Sequence, residues 1–110
     1  MTVLPLSESH SLQDGVLKLQ MDGPVDMRTV PQIRKTILNL MLKKRVEEIH
    51  VDLSRVTVLD TSGIAMLVEI WRALSRRRAA LRLTGLSEKA RRLIQLARLE
   101  QVFDIGSDPQ

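Results

Sequence analysis

The sequence predicts a single α/β domain, a mixed central sheet of about four to five strands with helices packed mainly on one face. Two observations predict it. Segments with an apolar residue at every second position alternate along the chain with segments whose apolar residues recur at helical spacing. The strand segments alternate polar and apolar rather than running continuously apolar, so one sheet face is expected to stay partly wet. The chain has 110 residues, the length of one ordinary domain, 1–110, with a core over about 12–105.

Each element has its own signal. Over 16–22, Leu17, Leu19 and Met21 point one way and Lys18, Gln20 and Asp22 the other, as in a half-buried strand. Gly23-Pro24 is expected to stop it. Asp14-Gly15 ahead of it is a tight-turn pair, so residues 2–8 are expected to pair back, with Pro5 favouring an edge. A first helix is expected over about 29–44, with Thr29 as N-cap, Pro31 in the first turn and a stripe of Val30, Ile33, Ile37, Leu40 and Met41. Lys43, Lys44 and Arg45 suit the negative end of its dipole.

Residues 48–53 alternate again, Ile49, Val51 and Leu53 against His50 and Asp52, and a short apolar stretch runs from Val56 to Leu59. Asp60-Thr61-Ser62-Gly63 leads into a second helix over about 63–77. Its apolar face is read as Ile64, Leu67, Val68, Trp71 and Leu74, with Leu67 and Trp71 toward the sheet. A third alternating strand, 79–84, ends at Gly85. Ser87 caps a third helix carrying Ala90, Leu93, Ile94 and Ala97, and Val102, Phe103 and Ile105 form a short last strand.

Composition narrows the function. Without cysteine there are no disulfides, zinc-thiolate sites or cysteine nucleophiles. No apolar run approaches the roughly 18 residues of a membrane helix, and Met1 to Pro5 lack a basic signal-peptide start. A soluble cytoplasmic domain without membrane insertion is the expectation. The net charge of +4 is uneven: residues 69–98 hold nine Lys/Arg and two Asp/Glu, a net of +7. That stretch is either a solvated helix face or a surface for an anionic partner. Trp71 and Phe103 are the only aromatics, too few for base stacking, so direct nucleic-acid binding is not expected.

Catalytic motifs are missing. There is no P-loop, and the glycines at 15, 23, 63, 85 and 106 never cluster into a dinucleotide fingerprint. His10 and His50 lie on separate elements without metal-ligand spacing. His50 and Asp52 share a strand face, but a triad would need a distant serine and no G-x-S-x-G is present. Neither an enzyme nor a cofactor is expected.

One stretch, Val58-Leu59-Asp60-Thr61-Ser62-Gly63-Ile64, has an unusual design. An apolar strand ends in an acid, two hydroxyls and a glycine just where a helix begins. The first N–H groups of that helix are unpaired and its dipole favours negative charge. Gly63 is read as leaving the approach to Ser62 open, so a phosphate on Ser62 would be accommodated. The plain alternative is an ordinary Ser or Thr N-cap.

Val51-Asp52-Leu53-Ser54 through Leu59-Asp60-Thr61-Ser62-Gly63-Ile64 resembles the signature of the STAS family, in the form found in bacterial anti-sigma factor antagonists. Gly23-Pro24-Val25-Asp26 is similar to that family's G-x-[LI]-D, and Gly85-Leu86-Ser87 through Leu99, then Val102-Phe103, to its closing helix and strand. Pro24, Val25 and the missing glycine near Arg98-Leu99 depart from the pattern; the D-T-S-G turn does not. The resemblance implies an α/β STAS fold and partner switching. The unmodified protein binds an anti-sigma factor that is also a serine kinase, releasing the sigma factor. Phosphorylation from ATP ends binding, and a phosphatase resets the cycle. By the same resemblance Ser62 matches the phosphoacceptor, and Asp26, Asp60, Thr61 and Gly63 match positions that line the site or meet the partner. A second implied reading is a STAS subunit docking on the ATPase of an Mla-type lipid-transport ABC complex.

Overall fold

A computed structural model describes residues 11–105. Five strands, β1 (Ser11–Gln13), β2 (Val16–Val25), β3 (Glu48–Leu59), β4 (Ala80–Thr84) and β5 (Asp104–Ile105), form one sheet in that order. β1 runs antiparallel to β2, and the other neighbours are parallel, so the sheet is mixed. Helices α1 (Val30–Lys43), α2 (Thr61–Ser75) and α3 (Glu88–Leu96) make the crossovers. Adjacent parallel strands joined by crossovers of one hand place all three helices on the same face. That face is buried at Leu17, Leu19, Met21, Ile49, Val51, Leu53, Leu81 and Leu83; Lys18, Gln20, His50, Asp52 and Arg82 on the other are exposed or half-buried. The helices contribute Ile33, Ile37, Leu67, Ile70, Leu74 and Ile94 to the same core.

The Asp14-Gly15 turn forms as read, both residues having positive φ (54° and 80°). The strand expected over 2–8, and His10, lie outside the described residues; the described partner of β2 is Ser11–Gln13.

Three boundaries differ from expectation. β2 does not stop at Gly23-Pro24 but runs to Val25, with register shifts between Gln20 and Asp22 and between Gly23 and Pro24. Those irregularities absorb the missing proline N–H. The pieces expected over 48–53 and 56–59 are one strand, β3. Its pairing with β4 ends at Asp52 and Thr84, while its pairing with β2 continues to Val25 and Leu59. The outer half of β3 is therefore an exposed ribbon, which is why its apolar alternation lapses at Ser54 and Arg55. Finally, α2 starts at Thr61 and not 63.

Gly85 closes β4 with φ +71°, and a Cβ there would lie 2.7 Å from the Ser54 backbone nitrogen. Only glycine meets both demands. Ser87 caps α3 as expected, accepting the Ala90 N–H at 3.0 Å. Val102 lies in the turn before β5, and Phe103 is buried. No helix is long and apolar enough to cross a membrane, among the described residues.

Candidate functional site

The β2–β3 register builds the site. Val25 pairs with Leu59, so the next residues, Asp26 and Asp60, leave the two strands side by side. Each acid then opens a helix connection. The Asp26 carboxylate accepts the backbone N–H groups of Arg28 (2.9 Å) and Thr29 (3.3 Å), and Arg28 Nη2 lies 3.8 Å away. Thr29 precedes α1 but makes no side-chain cap. Its hydroxyl donates to the Pro24 carbonyl (2.9 Å) and accepts the Asp26 N–H (3.0 Å), locking the strand-to-helix turn instead.

Asp60, not Thr61 or Ser62, is the N-cap of α2. One carboxylate oxygen, Oδ1, accepts the Gly63 N–H at 3.1 Å and the Ser62 hydroxyl at 2.5 Å. The Met27 backbone also donates to this carboxylate, so the β2–α1 loop is tied to the start of α2. The Ser62 hydroxyl, above all, holds the Asp60 carboxyl below its ordinary range; partial burial opposes it, and the N–H groups of Gly63, Ser62 and Met27 assist. The acid is ionised at neutral pH.

Ser62 is half-buried and Thr61 exposed. The serine sits in the first turn of α2, where the positive end of the dipole lies. Gly63 has a different place from the one expected. It is buried, and a Cβ would lie 2.6 Å from Leu59 Cδ1 and 3.0 Å from Val25 Cγ1. Its role is to seat the helix on the ends of β2 and β3, and Ser62 beside it keeps part of its surface exposed.

The surroundings are apolar and open. Met27 is 75% exposed and Val58 51%. From Thr61 a groove of about 700 Å³ follows the outer face of α2, with Leu38 of α1 on one side and, on the other, Leu93 of α3 and Ala97 just past that helix.

The structure brings Asp26, Asp60, Thr61, Ser62 and Gly63 together at one end of the sheet. His50 and Asp52 face the open side of the sheet without forming a catalytic pair. Asp52 is held by the Ser54 N–H (2.9 Å) and by Gln20 (3.2 Å), while His50 Nε2 lies 3.0 Å from Glu48. No cluster of three metal-ligating side chains occurs among the described residues. Sequence reasoning missed the bridging of Thr29 and Met27; the D-x-x-G spacing of Asp60 and Gly63 was the available sign of the true cap.

The STAS domain family model matches residues 11–110. The anti-sigma-B factor antagonist of Staphylococcus aureus (strain NCTC 8325 / PS 47) is 26% identical over 101 residues, covering 92% of this chain and 93% of that one. An anti-sigma-factor antagonist (STAS) domain protein from Planctomyces limnophilus superposes with a TM-score of 0.81 at 18% identity, over 99% of this chain and 94% of that one. The phosphorylated form of the Bacillus cell fate determinant SpoIIAA superposes with a TM-score of 0.75 at 19% identity, over 93% and 91%. The sheet order and the paired-acid turn thus sit in a chain matched by one family model from β1 onward, and the chain belongs to the STAS domain family.

Proposed function

We propose that this protein is an anti-sigma factor antagonist that works by partner switching, with Ser62 as the phosphoacceptor. The observation that carries the reading is the Ser62 hydroxyl donating to an ionised Asp60 at an exposed helix N-terminus. An anti-sigma factor that is also a serine kinase binds the unmodified end of the domain, covering Ser62, Thr61, Asp26 and the apolar Met27 and Val58. Gly63 supports this surface from beneath.

Phosphoryl transfer forms a bond between Ser62 Oγ and the γ-phosphorus of ATP, breaks the bond to the bridging oxygen of ADP, and releases the hydroxyl proton. The ester oxygen can no longer donate to Asp60. A group with about −1.5 to −2 charges then stands beside an ionised carboxylate. Within the protein, the free N–H groups of α2 offset part of that charge. In the complex the phosphate would be desolvated without matched donors, and the partner lets go. A phosphatase restores the hydroxyl.

The test is incubation with a candidate anti-sigma serine kinase and ATP, followed by phosphosite mapping and titration of each variant. Labelling at Ser62, persistent binding by Ser62→Ala, weakened binding by Ser62→Asp and unchanged behaviour of Thr61→Ala are expected. Labelling at Thr61 alone moves the site. Equal binding by wild type, Ser62→Ala and Ser62→Asp without labelling puts the ATPase-docking subunit ahead.

A further inference from the structure

The opposite end of the domain has a different chemistry. α1 ends in Lys43, followed by Lys44 and Arg45; α2 ends at Ser75, followed by Arg76, Arg77 and Arg78. All six cations are exposed. Lys44, Arg45, Arg77 and Arg78 line one concavity of about 280 Å³, with Val46 and Glu47. The Glu47 carboxylate is turned over Gly15, where a Cβ would meet it at 3.0 Å. Arg77 donates to the Met41 carbonyl at 2.8 Å, and none of the six makes an ion pair among the described residues.

Helix dipoles do not account for this much charge. Each helix C-terminus is equivalent to roughly half a negative charge, so two ends offset about one cation of the six. The turn also holds Arg78 at φ +58°, a conformation glycine adopts with less strain and the usual choice just past a helix. The chain keeps a charge where backbone geometry favours none.

We infer that this polybasic end, formed by the turns after α1 and α2, is a docking surface for an anionic lipid bilayer. Leu42 distinguishes a bilayer from nucleic acid. It lies in the last turn of α1, beside Lys43, and is 76% exposed. A bilayer takes cations at its phosphate plane and an aliphatic side chain just beneath it; a duplex backbone uses only the charge. The aromatic platforms of single-strand binders are missing too, since Trp71 is partly covered and Phe103 buried. The attachment is peripheral. Ser62 lies in the first turn of α2 and Arg76 just past its last, roughly 20 Å away at about 1.5 Å per residue, so a docked domain still presents its switch to a partner.

The test is sedimentation of the whole protein with phosphatidylcholine vesicles, with and without about 30 mol% phosphatidylglycerol, at about 0.05 and 0.5 M salt. Binding only to the anionic vesicles, lost at high salt, is expected. Lys44→Gln combined with Arg78→Gly should weaken it about 25-fold at low salt, roughly fivefold for each charge. Arg78→Gly relaxes the backbone, so an unchanged melting temperature separates lost docking from lost fold. Leu42→Ser should weaken binding about fivefold, while Lys89→Gln with Arg92→Gln, equal in charge but on α3, should not. Equal binding to both vesicle types, no binding at low salt, or no loss in the patch variants overturns the proposal. So does tighter binding to a short DNA duplex that the same variants abolish.

Discussion

Ser62 and Asp60 share a 2.5 Å hydrogen bond in which the serine donates and the acid is also the cap of the helix carrying that serine. Stability and switching therefore meet in one carboxylate. Asp60→Ala removes the cap and the tie to the β2–α1 loop, and should cost about 1 kcal/mol, up to about 2. Ser62→Ala should cost less than Asp60→Ala, because the acid keeps its backbone donors. Urea melts of both variants check the order; the reverse order would mean that Ser62 is the true cap.

Acid should weaken the fold through three carboxylates, Asp60 at this end among them. The Ser62 hydroxyl holds Asp60 below its ordinary range. Burial raises Asp52, but donation from Ser54 and Gln20 and the charge of Arg55 outweigh it, leaving the group lowered. Arg34, bonded to Glu69 from α1 to α2 at 2.7 and 2.5 Å, lowers that acid too. For each group the folded value lies below the unfolded one, so its stabilisation is present above about pH 4 and disappears as pH falls through the folded value. The melting temperature should therefore be flat down to about pH 5 and decline below about pH 4. Asp60→Asn should flatten part of that decline; an unchanged acid limb in this variant would contradict the assignment.

The legible parts of the fold were those where one physical signal acts alone. Leu17, Leu19 and Met21 alternate against Lys18, Gln20 and Asp22, and only a half-covered strand explains that. Ser87 stands alone ahead of an apolar stripe and caps it. Two signals competed at Gly23-Pro24, where turn residues read as a stop are strand irregularities that the sheet tolerates. At Asp60-Thr61-Ser62 three residues could each cap a helix, and composition does not choose among them. The β2–β3 register does, because it delivers Asp60 beside Asp26. Gly63 was misplaced for the same reason: whether a glycine opens a surface or fills a tight contact depends on what faces it, here Leu59 and Val25.

Helix α2 is apolar on more than one side, so periodicity misjudged its phase by about one position. Met66 and Ile70 are buried, yet neither belongs to the expected stripe, while Val68 and Trp71 are only half-buried. Leu67, fully buried, faces the core as expected. Leu67→Ala and Met66→Ala should each cost about 2–5 kcal/mol. Val68→Ala should cost less than either, since its side chain keeps part of its solvent contact. Thermal melts of the three variants check this. A Met66→Ala cost within about 0.5 kcal/mol of zero would restore the original phase.

The tightest constraint at the switch end is Gly63. An alanine there must displace Leu59 Cδ1, 2.6 Å away, and Val25 Cγ1 at 3.0 Å, and the Val25 carbonyl at 3.2 Å belongs to backbone that also accepts the Asp60 N–H. Overpacking of this kind costs about 1–3 kcal/mol, and the better helix propensity of alanine returns up to about 1. Gly63→Ala should therefore be destabilising by about 1–2 kcal/mol. The displacement lies between the helix start and the strand ends, so it should also lengthen the Asp60–Gly63 contact and free the Ser62 hydroxyl. Amide exchange read at Gly63 and Ile64 against Ile94 in α3 separates these effects. Faster exchange at the start of α2, with α3 unchanged, is expected. Uniform exchange with unchanged stability would show that the helix end has room to spare.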